Sequence, residues 1–243
     1  MVGDQQCWRF SEEDPSDLSD PDSLVRKTFQ AIWHELPRVL LGNAMFCLLC
    51  APAISLAFAN LLLPAICLAV ITVFPAWAAL LAFEDKILQG SATTVRDLLR
   101  AFTRVWGRST TLGLLALVPA LGAFVALPGL GAQRVHWTVW LALVANALSL
   151  LILVALYVYA FPLVAMHDLS TGMALRNALI LASRHLWSTF GMMSLAILLV
   201  LGVLYVSSGI AFFAPAFFGM FSVSNCKMVV QEELSRDSAN SDV

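Results

Sequence analysis

Thr138-Val-Trp140-Leu-Ala-Leu-Val-Ala-Asn146-Ala-Leu-Ser149-Leu-Leu-Ile-Leu-Val-Ala-Leu-Tyr157-Val-Tyr159-Ala-Phe161-Pro162-Leu163 runs for 26 residues without one ionisable Asp, Glu, Lys, Arg or His. A helix rising about 1.5 Å per residue needs about 20 such residues to cross a hydrocarbon core about 30 Å thick. This stretch alone therefore predicts a transmembrane helix. Five more apolar stretches flank it, at 39–60, 62–83, 110–130, 189–206 and 208–228. Asn60 to Pro64 predicts a tight reversal between the first two, and Ser207-Ser208-Gly209 separates the last two. A four-span alternative would make one of these near-continuous pairs a single long helix. Pro52, Pro64 and Pro75 along the first pair argue against that.

The composition agrees. The chain has 243 residues, of which 60% are hydrophobic and 12% charged, with a mean hydropathy of +0.82. Soluble domains carry about 45–50% apolar and about 25% charged residues. This balance excludes a disordered chain, a disulfide-rich secreted module and an ordinary cytosolic enzyme. The expected fold class is all-α: a polytopic membrane protein with six transmembrane helices and interfacial amphipathic helices.

Charge divides the chain into three parts. Residues 1–23 carry a net charge of −6, residues 24–226 of +6, and residues 227–243 of −2. The expected organisation is an acidic disordered tail (1–23), a transmembrane domain (24–230) and a second disordered tail (231–243). A docking role is the other reading of the first tail. The acidic start lacks a basic region leading into an apolar core, so no cleavable signal peptide is expected. Six spans put both tails and the segments 84–109 and 164–188 on one side. That side holds 13 of the 14 Lys and Arg residues; the other holds Arg134 alone. The positive-inside rule therefore predicts a multi-pass protein of the cell membrane with both termini cytoplasmic. Trp137 and Trp140 fit the opposite aromatic belt.

The segments on the basic side resemble one another. Ser23 to Trp33, Thr94 to Trp106 and Thr171 to Trp187 each begin at a hydroxyl residue, continue through an aliphatic–Arg pair at Arg26, Arg96 or Arg176, and end at Trp. Each precedes an outward span, and each return span carries a proline: Phe74-Pro75, Phe161-Pro162 and Phe213-Ala-Pro215. The chain is thus read as three parallel two-helix repeats, with helix kinks expected at Pro75, Pro162 and Pro215. Generic basic loops with interfacial tryptophans would produce part of the same pattern. Val95, Leu98, Leu99, Phe102 and Trp106 share one helical face, Arg96, Arg100 and Arg104 another, and Thr94 with Asp97 makes a capping-box-like start. Such a helix suits either anionic membrane lipids or a partner subunit.

Nothing in the chain spells out catalysis. Cys47 and Cys50 are three apart in an apolar span with no nearby His and read as packing residues. His34, His136, His167 and His185 have no metal-ligand spacing, and no phosphate-binding glycine motif or nucleophile elbow occurs. Glu84, Asp85 and Asp168 are placed at the ends of spans, leaving Asn43, Asn60, Asn146, Ser55 and Ser149 as the polar residues at depth. The expectation is a non-enzyme without cofactor, metal or nucleic-acid partner.

Several short motifs resemble those of the YesL-like bacterial integral membrane proteins. They are Phe74-Pro75 through Leu-Leu-Ala-Phe-Glu-Asp-Lys86, Val95-Arg96-Asp97-Leu-Leu-Arg-Ala-Phe102, Trp106-x-Arg108-Ser109, Tyr159-Ala-Phe161-Pro162-Leu, His167-Asp168-Leu-Ser and Ala174-Leu-Arg176-Asn177-Ala178-Leu. The likeness covers roughly 24–230; the acidic N-terminal tail and His185 depart from it. It implies an auxiliary or regulatory protein beside a carbohydrate-uptake ABC transporter, and it supplies no catalytic residues. The expected contact residues toward lipid, an ABC transporter or a sensor subunit are Arg96, Arg100, Arg104, Arg176 and Arg184. A small-solute permease, its path lined by Asn146 and the Pro75 and Pro162 kinks, is the alternative. The sequence assigns no oligomeric state.

Overall fold

The computed structural model describes residues 29, 33–91, 93–126, 137–207 and 209–241. Among them are seven long helices: α1 (Leu36–Phe58), α2 (Leu62–Leu88), α3 (Val95–Ala126), α4 (Trp137–His167), α5 (Thr171–Arg184), α6 (Leu186–Tyr205) and α7 (Ile210–Ser241). No strand occurs among the described residues. Five helices, α1, α2, α4, α6 and α7, are long and apolar enough to cross a membrane. The acidic tail 1–23 and most of the Ser23 to Trp33 segment lie outside the described residues, as does the end of the 110–130 stretch.

Local chemistry sets the turns. Asn60 has φ 58° between α1 and α2, a left-handed conformation that Asn tolerates better than most residues. Gly90 has φ 70° after α2. There the Gly90 amide donates to Ile87 O and the Ser91 amide to Lys86 O, the paired bonds of a Schellman motif. At the start of α3 the amide and hydroxyl of Thr94 both donate to Asp97 Oδ2, at 3.0 and 2.7 Å. The carboxylate half of the capping box expected from Thr94 and Asp97 is therefore formed, while the Asp97 amide donates to the Thr94 carbonyl rather than to its hydroxyl. A single residue, His185, separates α5 from α6.

Two expectations change. The 94–106 segment is not a separate interfacial helix, because α3 continues from Val95 to Ala126 without a break. Gly107 is the weakest helix former near the expected junction and costs about 1 kcal/mol, too little to stop a long helix. The buried stripe of α3 is Leu98, Ala101, Val105, Ser109 and Leu112, and it packs on protein; Leu99 and Trp106 are left half-exposed. The segment 231–243, expected as a disordered tail, is helical through Ser241. Arg236 pairs with Glu232 one turn away, and Arg184 and His185 hold Glu233 from across the fold.

The core occupies one end of the bundle. Most of its buried residues come from 76–87 of α2, 98–112 of α3, 158–165 of α4, 174–182 of α5 and 216–230 of α7. The charged residues of the described helices gather at the same end. At the far end α4 exposes Leu141, Val144, Leu148, Leu151 and Ile152, and α6 exposes Leu198 and Leu204. Lipid tails are as apolar as Leu, so a surface of this kind suits a bilayer and would be unfavourable in water.

Candidate functional site

Proline creates the first special feature of the core. A helical proline has no N–H, so the carbonyl four residues earlier loses its partner. Pro75 deprives Ile71 O, and Trp106 Nε1 of α3 donates to that oxygen at 3.1 Å. Pro162 deprives Val158 O, and Ser222 Oγ of α7 donates to it at 3.1 Å. Each gap in a helix is closed by a side chain from a neighbouring helix. The two Phe-Pro pairs also meet: the rings of Phe74 and Phe161 stack with centroids 5.8 Å apart, and Tyr157 stands edge-on to both. Gly113 of α3 makes room, since a Cβ there would lie 2.7 Å from the Phe74 ring. The third member does not join. Phe213 is half-exposed, and Phe218 instead stacks on Trp77.

Ion pairs fasten the helices at the charged end. Lys227 Nζ lies 2.7 Å from Asp85 Oδ1, joining α7 to α2, while Gln89 donates to the other oxygen of Asp85. Asp168, at φ 52° between α4 and α5, is held by α3: Arg108 Nη1 donates to its Oδ1 at 2.9 Å and to its carbonyl at 2.6 Å. Arg104 Nε lies 3.5 Å from Asp168 Oδ1, and its Nη2 donates to Ala165 O. At the junction of α5 and α6, Arg184 and His185 both bind the Glu233 carboxyl of α7.

The five candidate arginines therefore divide. Arg104 and Arg184 are bound within the fold, and Arg100 lies 3.8 Å from Asp97. Arg96 and Arg176 are exposed and have no ion-pair partner among the described residues. Immediately after Arg176, at Asn177, begins a groove of about 310 Å³ between α5 and α7, lined by Asn177, Ile180, Leu181, Arg184, Val230, Glu233 and Leu234. The Thr94 hydroxyl and amide hold the Asp97 carboxyl below the usual carboxylate range, with Lys86 and Arg100 adding smaller contributions.

Sequence reading placed Glu84 at a span end, yet the structure buries it to 1% exposure inside α2. Leu80, Glu84 and Ile87 share a face, so the i, i+4, i+7 spacing was a legible sign of burial. Asn43 of α1 is also fully buried, and neither side chain has a hydrogen-bond partner. Asn146 packs against α3, where a Cβ on Gly122 would lie 2.7 Å from its Oδ1. Cys47, Cys50, Cys67 and Cys226 are free thiols, and among the described residues no group of three His, Cys, Asp or Glu side chains could hold a metal ion. Pro75, Pro162 and Pro215 all lie inside uninterrupted helices.

Comparison with known proteins finds no matching family model, no similar curated protein and no similar solved structure.

Proposed function

We propose that the chain is a non-enzymatic, six-span protein of the bacterial inner membrane that works by gripping another membrane protein at its charged end. The sixth span is the second half of α3, which carries no Asp, Glu, Lys or Arg from Ser109 to Ala126. At about 1.5 Å per residue, the 32-residue α3 is long enough to hold both a span and a stem beyond it. Both termini are cytoplasmic in this reading, on the Lys and Arg count. The resemblance to YesL-like proteins supplies the partner: a carbohydrate-uptake ABC transporter for which this chain is an auxiliary or regulatory subunit. The helix pairs α1–α2, α3–α4 and α6–α7, each returning through a proline, are the three repeats.

One observation carries the proposal. Arg96 and Arg176 are exposed and have no ion-pair partner among the described residues, while Arg104, Arg108 and Arg184 are consumed in holding the helices together. A face braced by its own ion pairs that still presents cations is preorganised for an acidic partner. The test is co-purification of transporter subunits from native membranes in mild detergent. The double variant Arg96→Glu, Arg176→Glu is expected to lose the partner while inserting normally. Unchanged recovery would refute the proposal, and loss of binding to anionic vesicles alone would identify lipid as the contact.

A cysteine placed at Ser91 tests the topology, because an impermeant reagent applied to intact cells should leave it unlabelled. The permease alternative has less support. Pro75 and Pro162 lie in the sealed core with their freed carbonyls satisfied, and Asn146 packs against the neighbouring helix.

A further inference from the structure

The Glu84 carboxyl lies in the α1–α2–α7 interface. Its residue is 1% exposed, and neither oxygen receives a hydrogen bond. The surrounding cluster is apolar: Val39, Phe83, Ile87, Leu98, Ala216 and Met220. Gly219 of α7 provides the space, since a Cβ there would lie 2.1 Å from Glu84 Oε2. Asn43 belongs to the same level of the bundle. It follows Val39 by one turn, and its neighbour Gly42 lies against Phe83 and Leu80.

Apart from the exposed Arg96 of α3, the charged groups on the elements packed around α2 are engaged with other partners. Lys227 of α7 is paired with Asp85; Lys86 and Arg100 lie beside Asp97; Arg38 at the start of α1 is paired with Glu35; Arg104 and Arg108 of α3 hold Asp168. His167 ends α4, beside the Asp85–Lys227 pair. None of these cations reaches Glu84.

An ionised carboxylate without a partner in such a site is strongly unfavourable, whereas a neutral acid is tolerated. A metal ion would need several oxygen ligands around it, and the face of the carboxyl toward α7 is filled by helix backbone at Gly219. We propose that Glu84 forms a buried proton-binding site whose carboxyl carries a proton in the packed state of α2 against α7. The ligand is the proton alone. A carboxyl buried in protein and held off ordinary pairing is the type of group that membrane proteins use to take up and release protons.

Infrared spectroscopy of the full-length protein in liposomes tests this. With ¹³C-glutamate labelling, a protonated-carboxyl C=O band assigned to Glu is expected at neutral pH and should be lost in Glu84→Gln, which matches the neutral acid in shape. The Glu84→Gln variant is checked for monodisperse elution. If it does not fold, the labelled wild type decides the matter, because exposed glutamates are ionised at neutral pH. A wild-type spectrum without the band at neutral pH overturns the proposal. A band erased at fixed pH by adding sodium or potassium also overturns it, in favour of a cation site.

Discussion

Removing the Ser222 hydroxyl tests whether the core is built around its prolines. Val158 O is buried, and its helical donor is missing because residue 162 is proline. Ser222 Oγ, itself 2% exposed, supplies the donor at 3.1 Å. A buried carbonyl stripped of its partner costs about 1–3 kcal/mol in water-soluble proteins. Side-chain bonds between membrane helices average about 0.6 and reach about 1.7 kcal/mol, because the separated helices find other partners. Val158 O has no alternative donor in its own helix, so Ser222→Ala should cost about 1–1.5 kcal/mol, in the upper part of that range. In a Pro162→Ala background the new amide of residue 162 can bond Val158 O. There Ser222→Ala should cost well under about 0.5 kcal/mol, leaving a coupling of about 1 kcal/mol. Denaturation in mixed micelles of the four proteins of this double-mutant cycle measures that coupling. Equal costs of Ser222→Ala in both backgrounds would refute the argument.

Trp106→Phe should act in the same way on Ile71 O and Pro75, with a smaller coupling because Trp106 is 44% exposed; the same micelle assay applies. Asp168→Ala should lose the side-chain contacts with Arg104 and Arg108 while keeping the left-handed cost of about 1–2 kcal/mol that a Cβ-bearing residue pays at φ 52°. Asp168→Gly should recover that part but not the Arg104 and Arg108 contacts, as thermal unfolding in detergent would show. The Asp97 carboxyl titrates below its unfolded value, so its support of the α3 start is complete above the usual carboxylate range and lost as pH falls through the lowered value. Hydrogen exchange at the first turn of α3 should accelerate only on that acid side, and in Asp97→Asn it should be raised at neutral pH.

Much of the architecture could be read along the chain because crossing a bilayer imposes a length on each apolar run. The runs at 39–60, 62–83, 138–163, 189–206 and 208–228 each fall within or nearly within a helix long enough to span. Turn chemistry was equally local: Asn60 marked the first reversal, and Thr94 with Asp97 marked the start of α3. Helix continuity was harder to read. The Thr94 to Trp106 stretch has amphipathic spacing whether it lies at an interface or forms the stem of α3. Only its contacts with α2, α4 and α5 show that the buried face is Leu98, Ala101, Val105 and Leu112. The candidate arginines were visible as a set, but their division was not, because Asp168 and Glu233 are about 50 to 60 positions away along the chain.

Sequence by itself determined an all-helical chain with several membrane-length apolar segments and a basic bias on one side of them, since hydropathy, length and charge are properties of consecutive residues. Tertiary structure alone decided that Phe74 meets Phe161, that Trp106 and Ser222 complete the proline-broken helices, and that Glu84 faces Gly219 rather than water. Those outcomes depend on which helices become neighbours and at what height. That is set by packing among faces of similar hydrophobicity, to which a linear pattern of apolar residues is nearly blind.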